Sequence, residues 1–579
     1  SEVPFGYGDK HLKDTTYQDI LYTRARATVN RDKAHACVMV WSVGNENPFT
    51  EMERKTGKEV KKTDPTRPIC FPQRGSTFRD LINKGYVFPA DVDIYAPHYP
   101  TTEQLTQFYR TQDRPLLFTE YCHTLGTAFE DHDLQWEIIQ NNEGMLGGSV
   151  WEWVDQGMPF QQPLRQRYGK EERVFTSKDG GFMMFGNKGT DGLLYANRVP
   201  LPNYYELQHN YAQAFVIDSL TRYDASTGQV SLTLCNRYDF SNLDGTNFQW
   251  AFTADDDTLA TGHFSPNCPP RSQTTWQLNL PKLSVNDDRN PLLHVSITSP
   301  QGYRILQQVI CLKPSTVTSR LLKTMASEGN PFDCLQLPLM VRAGRKSTLG
   351  EDIRRKSRLS RYLLPVSSDG MAGPDSCRIR ADIKSETQQE ALHVTFSLTP
   401  PAQHIFMPEL GVALVLDKSL NCIQWIGKGP YATYPGRCQA DRYGLWGLRR
   451  GDLYLEGNRM GVEAVWATDS IGNGVLIVCK DGNVNFEETD RGLVISVNGA
   501  VAGVGPKFQQ TTHPVWADKV GTVSGQFWLY RTTSNKLPQS LKQLFINPSE
   551  MAKPFHPFET QYDTYPMRLA DIMDRHGRP

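Results

Sequence analysis

Nowhere does the sequence offer the ~18 uninterrupted apolar residues that a membrane-crossing helix requires, and its opening stretch lacks the basic head and apolar block of a secretory leader. A soluble chain with no membrane partner is expected. The compartment stays open between cytoplasm and, if a leader lies upstream, periplasm or exterior. Charge of one sign is also missing. With 62 basic against 63 acidic residues the formal net charge is −1, so no overall field favours nucleic acid or an anionic surface as the partner. The eleven cysteines include no C-x-x-C pair and no histidine at zinc spacing, which argues for free thiols over a metal or disulfide scaffold. No glycine-rich loop is present to cradle a phosphate.

What remains is ordinary globular composition, 39% hydrophobic and 22% charged over 579 residues, enough for about four domains by the rough rule of ~150 residues each. From Cys37 to Trp153 short apolar runs alternate with helix-like stretches, the pattern of parallel β/α units. Residues 37–43, 69–71, 92–96, 116–119 and 148–151 read as five strands, each continuously apolar or β-branched, as suits strands covered on both faces. Helices are expected at 15–30, 52–62, 77–83, 102–109 and 131–141. In the first of these Tyr17, Ile20, Leu21, Ala25 and Thr28 share one face, and Thr16 with Asp19 is a candidate capping pair.

After about residue 213 the texture becomes alternating. Val230, Leu232 and Leu234 interleave with Ser231, Thr233 and Cys235, and similar alternation recurs at 276–280 and 293–297. The fold class is therefore multidomain α/β plus all-β. It comprises part of a (β/α)8 TIM barrel with about five βα units over 1–212, an immunoglobulin-like sandwich over 213–312, an irregular linker over 313–367, a larger β-sandwich over 368–537, and a surface-packed tail over 538–579. The basic cluster Arg354, Arg355, Lys356, Arg358 and Arg361 is read as a solvated loop rather than a nucleic-acid contact.

Two of the strands close on a carboxylate: Val38-Met39-Val40-Trp41-Ser42-Val43-Gly44-Asn45-Glu46 and Leu116-Leu117-Phe118-Thr119-Glu120-Tyr121. An ionised glutamate at the end of an apolar strand is costly to bury unless partnered. In a parallel barrel all strand C-termini open on one face, so the two carboxylates converge there. A facing carboxylate pair is the minimum equipment for glycoside hydrolysis, and Trp41, Tyr99, Trp151 and Trp153, near strand ends, are the aromatic surfaces a pyranose ring would stack on. A purely structural pair, neutralised by a neighbour such as Arg114, is the competing explanation.

Three motifs in order, Trp41-Ser42-Val43-Gly44-Asn45-Glu46, Leu117-Phe118-Thr119-Glu120-Tyr121-Cys122-His123 and Gly147-Gly148-Ser149-Val150-Trp151-Glu152-Trp153-Val154-Asp155-Gln156, resemble signatures of the β-galactosidases of glycoside hydrolase family 2. Gly429-Pro430-Tyr431-Ala432-Thr433-Tyr434-Pro435-Gly436-Arg437 and Glu456-Gly457-Asn458-Arg459 are similar to motifs of that family's C-terminal β-sandwich. The resemblance implies a retaining exo-glycosidase acting on terminal β-D-galactose. Glu46 would be the acid/base with a raised pKa, Glu120 the ionised nucleophile, Asn45 a contact to the sugar 2-hydroxyl, and Tyr99 a bond to the nucleophile. His123 and Trp151 would line the sugar pocket.

Departures from the family pattern bear on cations and substrate. Members with magnesium beside the acid/base carry a Glu-x-His upstream; here the comparable stretch reads Glu2-Val3-Pro4-Phe5 and lacks the histidine. Asp191-Gly192-Leu193-Leu194 corresponds to the family's sodium segment, so Glu2 and Asp191 are the candidate metal ligands, with magnesium doubtful, sodium allowed and no cofactor required. Gly186-Asn187-Lys188-Gly189 resembles the carboxylate-gripping element of family-2 β-glucuronidases, which keeps a glucuronidase or another exo-β-glycosidase as the alternative. A non-catalytic carbohydrate-binding or scaffold fragment is the alternative of another class. Since Glu46 falls so early, the family's preceding domains and first barrel strands find no room, and the chain is expected to be the C-terminal portion of a longer enzyme whose N-terminal segment is its partner. Oligomerisation is left open.

Overall fold

The computed structural model describes residues 1–552 apart from 7–10, 112, 161–172, 178–179, 185–190, 197, 256, 285–286, 329–337, 347–361, 389–390, 453 and 507–509. The chain opens with a parallel sheet whose six strands lie side by side in sequence order: β1 (Glu2–Gly6), β2 (Trp41–Asn45), β3 (Ile69–Arg74), β4 (Ile94–His98), β5 (Leu116–Tyr121) and β6 (Met145–Val150). Helices α1 (Gln18–Asp32), α2 (Glu51–Thr63), α3 (Gly75–Asn83), α4 (Thr102–Thr111) and α5 (His132–Gln140) make the crossovers. The βα reading holds, with one strand added. β1 was illegible because Pro4 and the exposed Glu2 break its apolar pattern, leaving Val3 as its fully buried residue. Trp41, Val43, Ile69, Phe71, Phe118 and Tyr121 of the strands pack with Ala25, Val29, Val60 and Phe78 of the helices in one core.

The first helix differs from expectation in two respects. It starts at Gln18 with no side-chain cap of its own, so Thr16 and Asp19 do not form the expected capping pair; Asp14 instead caps the 3-10 turn before it, accepting from the Thr16 amide at 3.0 Å. Its buried face is Leu21, Ala25, Thr28 and Val29, whereas Tyr17 and Ile20 point to solvent. Parallel pairing also moves β2 along the chain: Trp41 lies opposite Ile69 and Ser42 opposite Cys70, so the strand runs on to Asn45 instead of starting at Cys37.

Helix α6 (Pro202–Asn210) follows, then two antiparallel four-stranded sheets between residues 214 and 311 that enclose a core including Leu232, Phe248, Phe252 and Val295. Beyond them a 12-stranded antiparallel assembly folds around the largest core, which includes Trp425, Trp446, Ile477 and Phe527. Between the two, the stretch expected to be irregular carries α7 (Val317–Glu328), with Val317, Leu321 and Met325 buried against Trp466, Leu541 and Phe545. Leu541 and Phe545 thus bring the start of the expected surface tail into a core. Arg354, Arg355, Lys356, Arg358, Arg361, Asn187 and Lys188 fall outside the described residues. The described cysteines are free thiols, and no described helix is long and apolar enough to cross a membrane.

Candidate active site

The C-terminal ends of the parallel strands hold the polar residues. β2 delivers Glu46 through Gly44, whose φ of +71° and lack of Cβ are both required, since a Cβ there would stand 2.3 Å from Asn47 Nδ2 and 2.7 Å from the Phe5 ring. Glu46 itself is left-handed, φ 52°, and its amide donates to the Pro72 carbonyl at 3.1 Å, pinning it to the neighbouring strand. β4 ends on His98 and the left-handed Tyr99, φ 47°, whose amide donates to the Glu120 carbonyl of β5 at 2.9 Å. Trp151 follows β6, its amide donating to the Tyr121 carbonyl at 3.2 Å. Each site residue is therefore fixed to the adjacent strand by its own backbone.

This row brings Glu46, His98 and Glu120 together, with one side-chain ligand atom of each lying within 4.8 Å of the others. The glutamate side chains are 13% and 12% exposed and that of His98 is 1% exposed, so the group sits in a sheltered but open mouth. The Tyr99 hydroxyl donates to Glu120 Oε2. His98 Nδ1 lies 3.2 Å from Glu46 Oε1 and 3.5 Å from Glu120 Oε2, while its Nε2 is anchored 2.8 Å from Thr119 Oγ1. Arg74, at the end of β3, donates to Glu46 Oε2 at 3.3 Å. The His98 hydrogen bond, aided by the charges of His98 and Arg74 and by the Arg74 bond, outweighs burial and holds the Glu46 carboxyl below the usual range. The acid/base role implied by the family resemblance called for a raised value; the direction found is the opposite, because His98 and Arg74 lie against this carboxylate.

His123 is buried, its ring centroid 5.5 Å from that of Tyr99 and its Nε2 3.5 Å from Asp191 Oδ2. Asn45 closes β2, opposite Gly6, and is partly buried there. Trp41 is not at the mouth: it begins β2, is fully buried, and donates Nε1–H to Asp64 at 3.0 Å. Trp153 is 55% exposed and packs against Tyr204 with centroids 6.0 Å apart. Arg114 does not neutralise Glu120; its guanidinium donates to the carbonyls of Phe88, Pro89 and Val92.

Two residues escaped the sequence reading, His98 and Arg74. The available signal was the one applied to the glutamates, a polar group at the close of an apolar strand.

The candidate metal ligands fare differently. Glu2 lies on β1, where desolvation and then the Glu120 charge push its carboxyl up. Both Glu46 oxygens already face nitrogens, of Arg74 and His98, so the residues present do not fit a magnesium ion, which demands oxygen ligands. Around Asp191 the surroundings are acidic: burial first, then the Asp191 and Glu152 charges, raise Asp155 to about 7. Asp191 Oδ2 faces His123 Nε2 at 3.5 Å, and among the described residues Asp191 belongs to no cluster of three metal-ligating groups.

Comparison with known proteins places these elements. Residues 8–215 match the model described as glycosyl hydrolases family 2, TIM barrel domain, 232–307 match β-galactosidase, domain 4, and 350–510 match β-galactosidase small chain. A β-galactosidase of Staphylococcus xylosus is 22% identical over 552 residues, covering 83% of this chain and 54% of that protein. One from Pectobacterium atrosepticum is 26% identical over 286 residues, 48% of this chain and 26% of that protein. The chain thus spans about half or less of the curated relatives it matches. Among solved structures, a Bacteroides uniformis β-glucuronidase is 12% identical, covering 92% of this chain and 58% of that one with a TM-score of 0.29.

Proposed function

Because the chain belongs to glycoside hydrolase family 2, we propose that its barrel face is the catalytic centre of a retaining β-galactosidase that removes terminal β-D-galactose by double displacement. The observation that carries the reading is the placement of Glu46 and Glu120 on one sheet face with carboxylate oxygens within 4.8 Å. Retaining pairs stand ~5–5.5 Å apart, whereas an inverting pair needs ~6.5–9.5 Å to admit a water between carboxylate and sugar.

In the first step a Glu120 oxygen attacks C1 with a lone pair. The C1–O bond to the leaving group breaks, its electron pair stays on the glycosidic oxygen, and that oxygen takes the proton from Glu46. In the second step Glu46 accepts a proton from water, whose oxygen attacks C1 and releases Glu120 as carboxylate. Tyr99 holds Glu120 by its hydroxyl, orienting the nucleophile and bonding to its negative charge. Asn45 is assigned to the sugar 2-hydroxyl, and His123 and Trp151 to the pocket wall.

The test is hydrolysis of nitrophenyl β-galactoside beside the β-glucuronide and β-glucoside, with the product anomer read by NMR. Galactose released first as the β-anomer is the expected result. Release of the α-anomer removes the double displacement, and preference for the glucuronide moves the substrate. Glu120→Gln is expected to lower kcat at least ~10³-fold with the thermal melt unchanged; retained turnover would reject Glu120 as nucleophile.

A further inference from the structure

Double displacement moves negative charge back and forth between two carboxylates. Before the first step it sits on Glu120, after it on Glu46, because Glu120 has become an ester and Glu46 has lost its proton. The second step returns it. A donor fixed to either glutamate alone would favour one half of the cycle at the expense of the other. His98 is fixed to neither. Its Nε2 is tied to Thr119 on β5 at 2.8 Å, an anchor about which a small tilt of the ring re-aims Nδ1, and Nδ1 faces both carboxylates, 3.2 Å from Glu46 and 3.5 Å from Glu120. The ring is 1% exposed, so water does not compete for that nitrogen.

We propose that His98 is a positioning residue that shares one Nδ1–H between nucleophile and acid/base, passing it to whichever carboxylate is charged. This rests on the glycosidase reading above and adds to it a group whose role is to follow the charge. With the N–H turned toward Glu120, Glu46 loses its nearest donor and can hold the proton it must give to the leaving oxygen. Once the glycosyl ester has formed, the N–H returns to the Glu46 carboxylate and steadies it as base. No proton leaves His98 in either step; only its hydrogen bond moves.

The other charged and titratable groups around the triad constrain the outcome. Arg74 donates to the far oxygen of Glu46, Tyr99 donates to Glu120, and Glu2 on β1 feels the Glu120 charge. Among the described donors, Arg74 then remains at Glu46 to oppose its proton uptake when His98 tilts away.

Two experiments test the proposal on the whole chain. The first compares pH profiles of kcat/KM for the native protein, His98→Met and His98→Asn, with folding checked by thermal melt. His98→Met removes the donor, so the alkaline limb, set by Glu46, is expected to rise by about half a pH unit or more while kcat falls roughly 10- to 100-fold. His98→Asn keeps an N–H near the Nδ1 position and is expected to return the limb close to its native place. A fall in kcat with both limbs unmoved in His98→Met would mark a merely structural residue and overturn the proposal.

The second needs no turnover. Ring 15N NMR of His98 should show protonated Nδ1 and should shift in both Glu46→Gln and Glu120→Gln. An unprotonated Nδ1, or a signal indifferent to either substitution, would overturn the sharing even if the Met variant failed to fold. If no β-glycoside is cleaved, the glycosidase reading fails by itself, and the ring signal still decides whether one N–H serves both carboxylates.

Discussion

At the scale of single residues, the roles given to Glu46 and Glu120 differ in a way kinetics can separate. A general acid matters in proportion to how poor the leaving group is, whereas the nucleophile is needed for every substrate. Glu46→Ala is therefore expected to cost roughly 10²–10⁴ in kcat/KM on alkyl galactosides but far less on a dinitrophenyl galactoside, and added azide should accelerate breakdown of the glycosyl-enzyme to galactosyl azide. Equal losses on both substrates would remove Glu46 from the acid role. The two carboxylates were legible in the sequence because each closes an apolar strand, where an ion has no stabilising use unless it is partnered. His98 obeys the same rule at the end of β4, yet a lone histidine beside a tyrosine is an ordinary sight in a sequence. Its significance comes from register, since Arg74 pairs with His98 across β3 and β4 and Glu120 follows on β5, and register is not written in composition.

At the scale of elements, the βα alternation was readable because buried parallel strands are short and apolar, while their ends were not. Pairing with neighbours, rather than local propensity, carried β2 on to Asn45 and β4 on to His98. The support under β5 was equally hidden. Tyr121 bonds His132 Nε2 at 3.1 Å, and His132 Nδ1 receives the Asn210 amide of α6 at 2.9 Å. Its ring stacks on Phe129, centroids 4.7 Å apart. Burial depresses His132 to about 3, well under its unfolded value of ~6.5. Between those values the unfolded chain binds the proton and the folded one does not, so stability falls as pH drops from about 6.5 toward 3 and is regained above. The full loss is on the order of 5 kcal/mol. His132→Gln should flatten the pH dependence of the thermal melt across that window; an unchanged slope would place the acid sensitivity elsewhere.

At the scale of the whole molecule, the barrel segment and the large sandwich are joined through buried polar groups. Glu130, 2% exposed just ahead of α5, accepts from the amides of Gly505 and Thr512 and from the hydroxyls of Thr511 and Thr512 at 2.6–2.8 Å. The loop at Gly429–Arg437 completes the joint. Arg437 donates to Asn203 at 2.8 Å, Gln439 and Ala440 amides donate to Glu206 at 2.9 Å, and Gly436, φ +75°, leaves room for Asp131 and Glu130, which a Cβ would meet at 2.6 Å. The motif around Gly436 was noticed in the sequence without its purpose, because a contact between residues hundreds of positions apart leaves no local pattern. Glu130→Ala would strand buried donors at roughly 1–3 kcal/mol each. Limited proteolysis should then release the sandwich from the barrel segment at lower temperature than in the native chain, and equal resistance would show the joint to be held elsewhere.

The order of strands in the parallel sheet bears on how a ribosome delivers this protein. Each strand pairs with its sequence neighbours, so Glu46, His98, Glu120 and Trp151 emerge in the order in which they stand across the sheet. That row can assemble once β6 and Trp151 have left the exit tunnel. Glu130 must wait for Thr511, 381 residues further on. During that interval the nascent chain carries this row on a sheet still lacking its buttress around Thr511, and holding chaperones would have most to protect there.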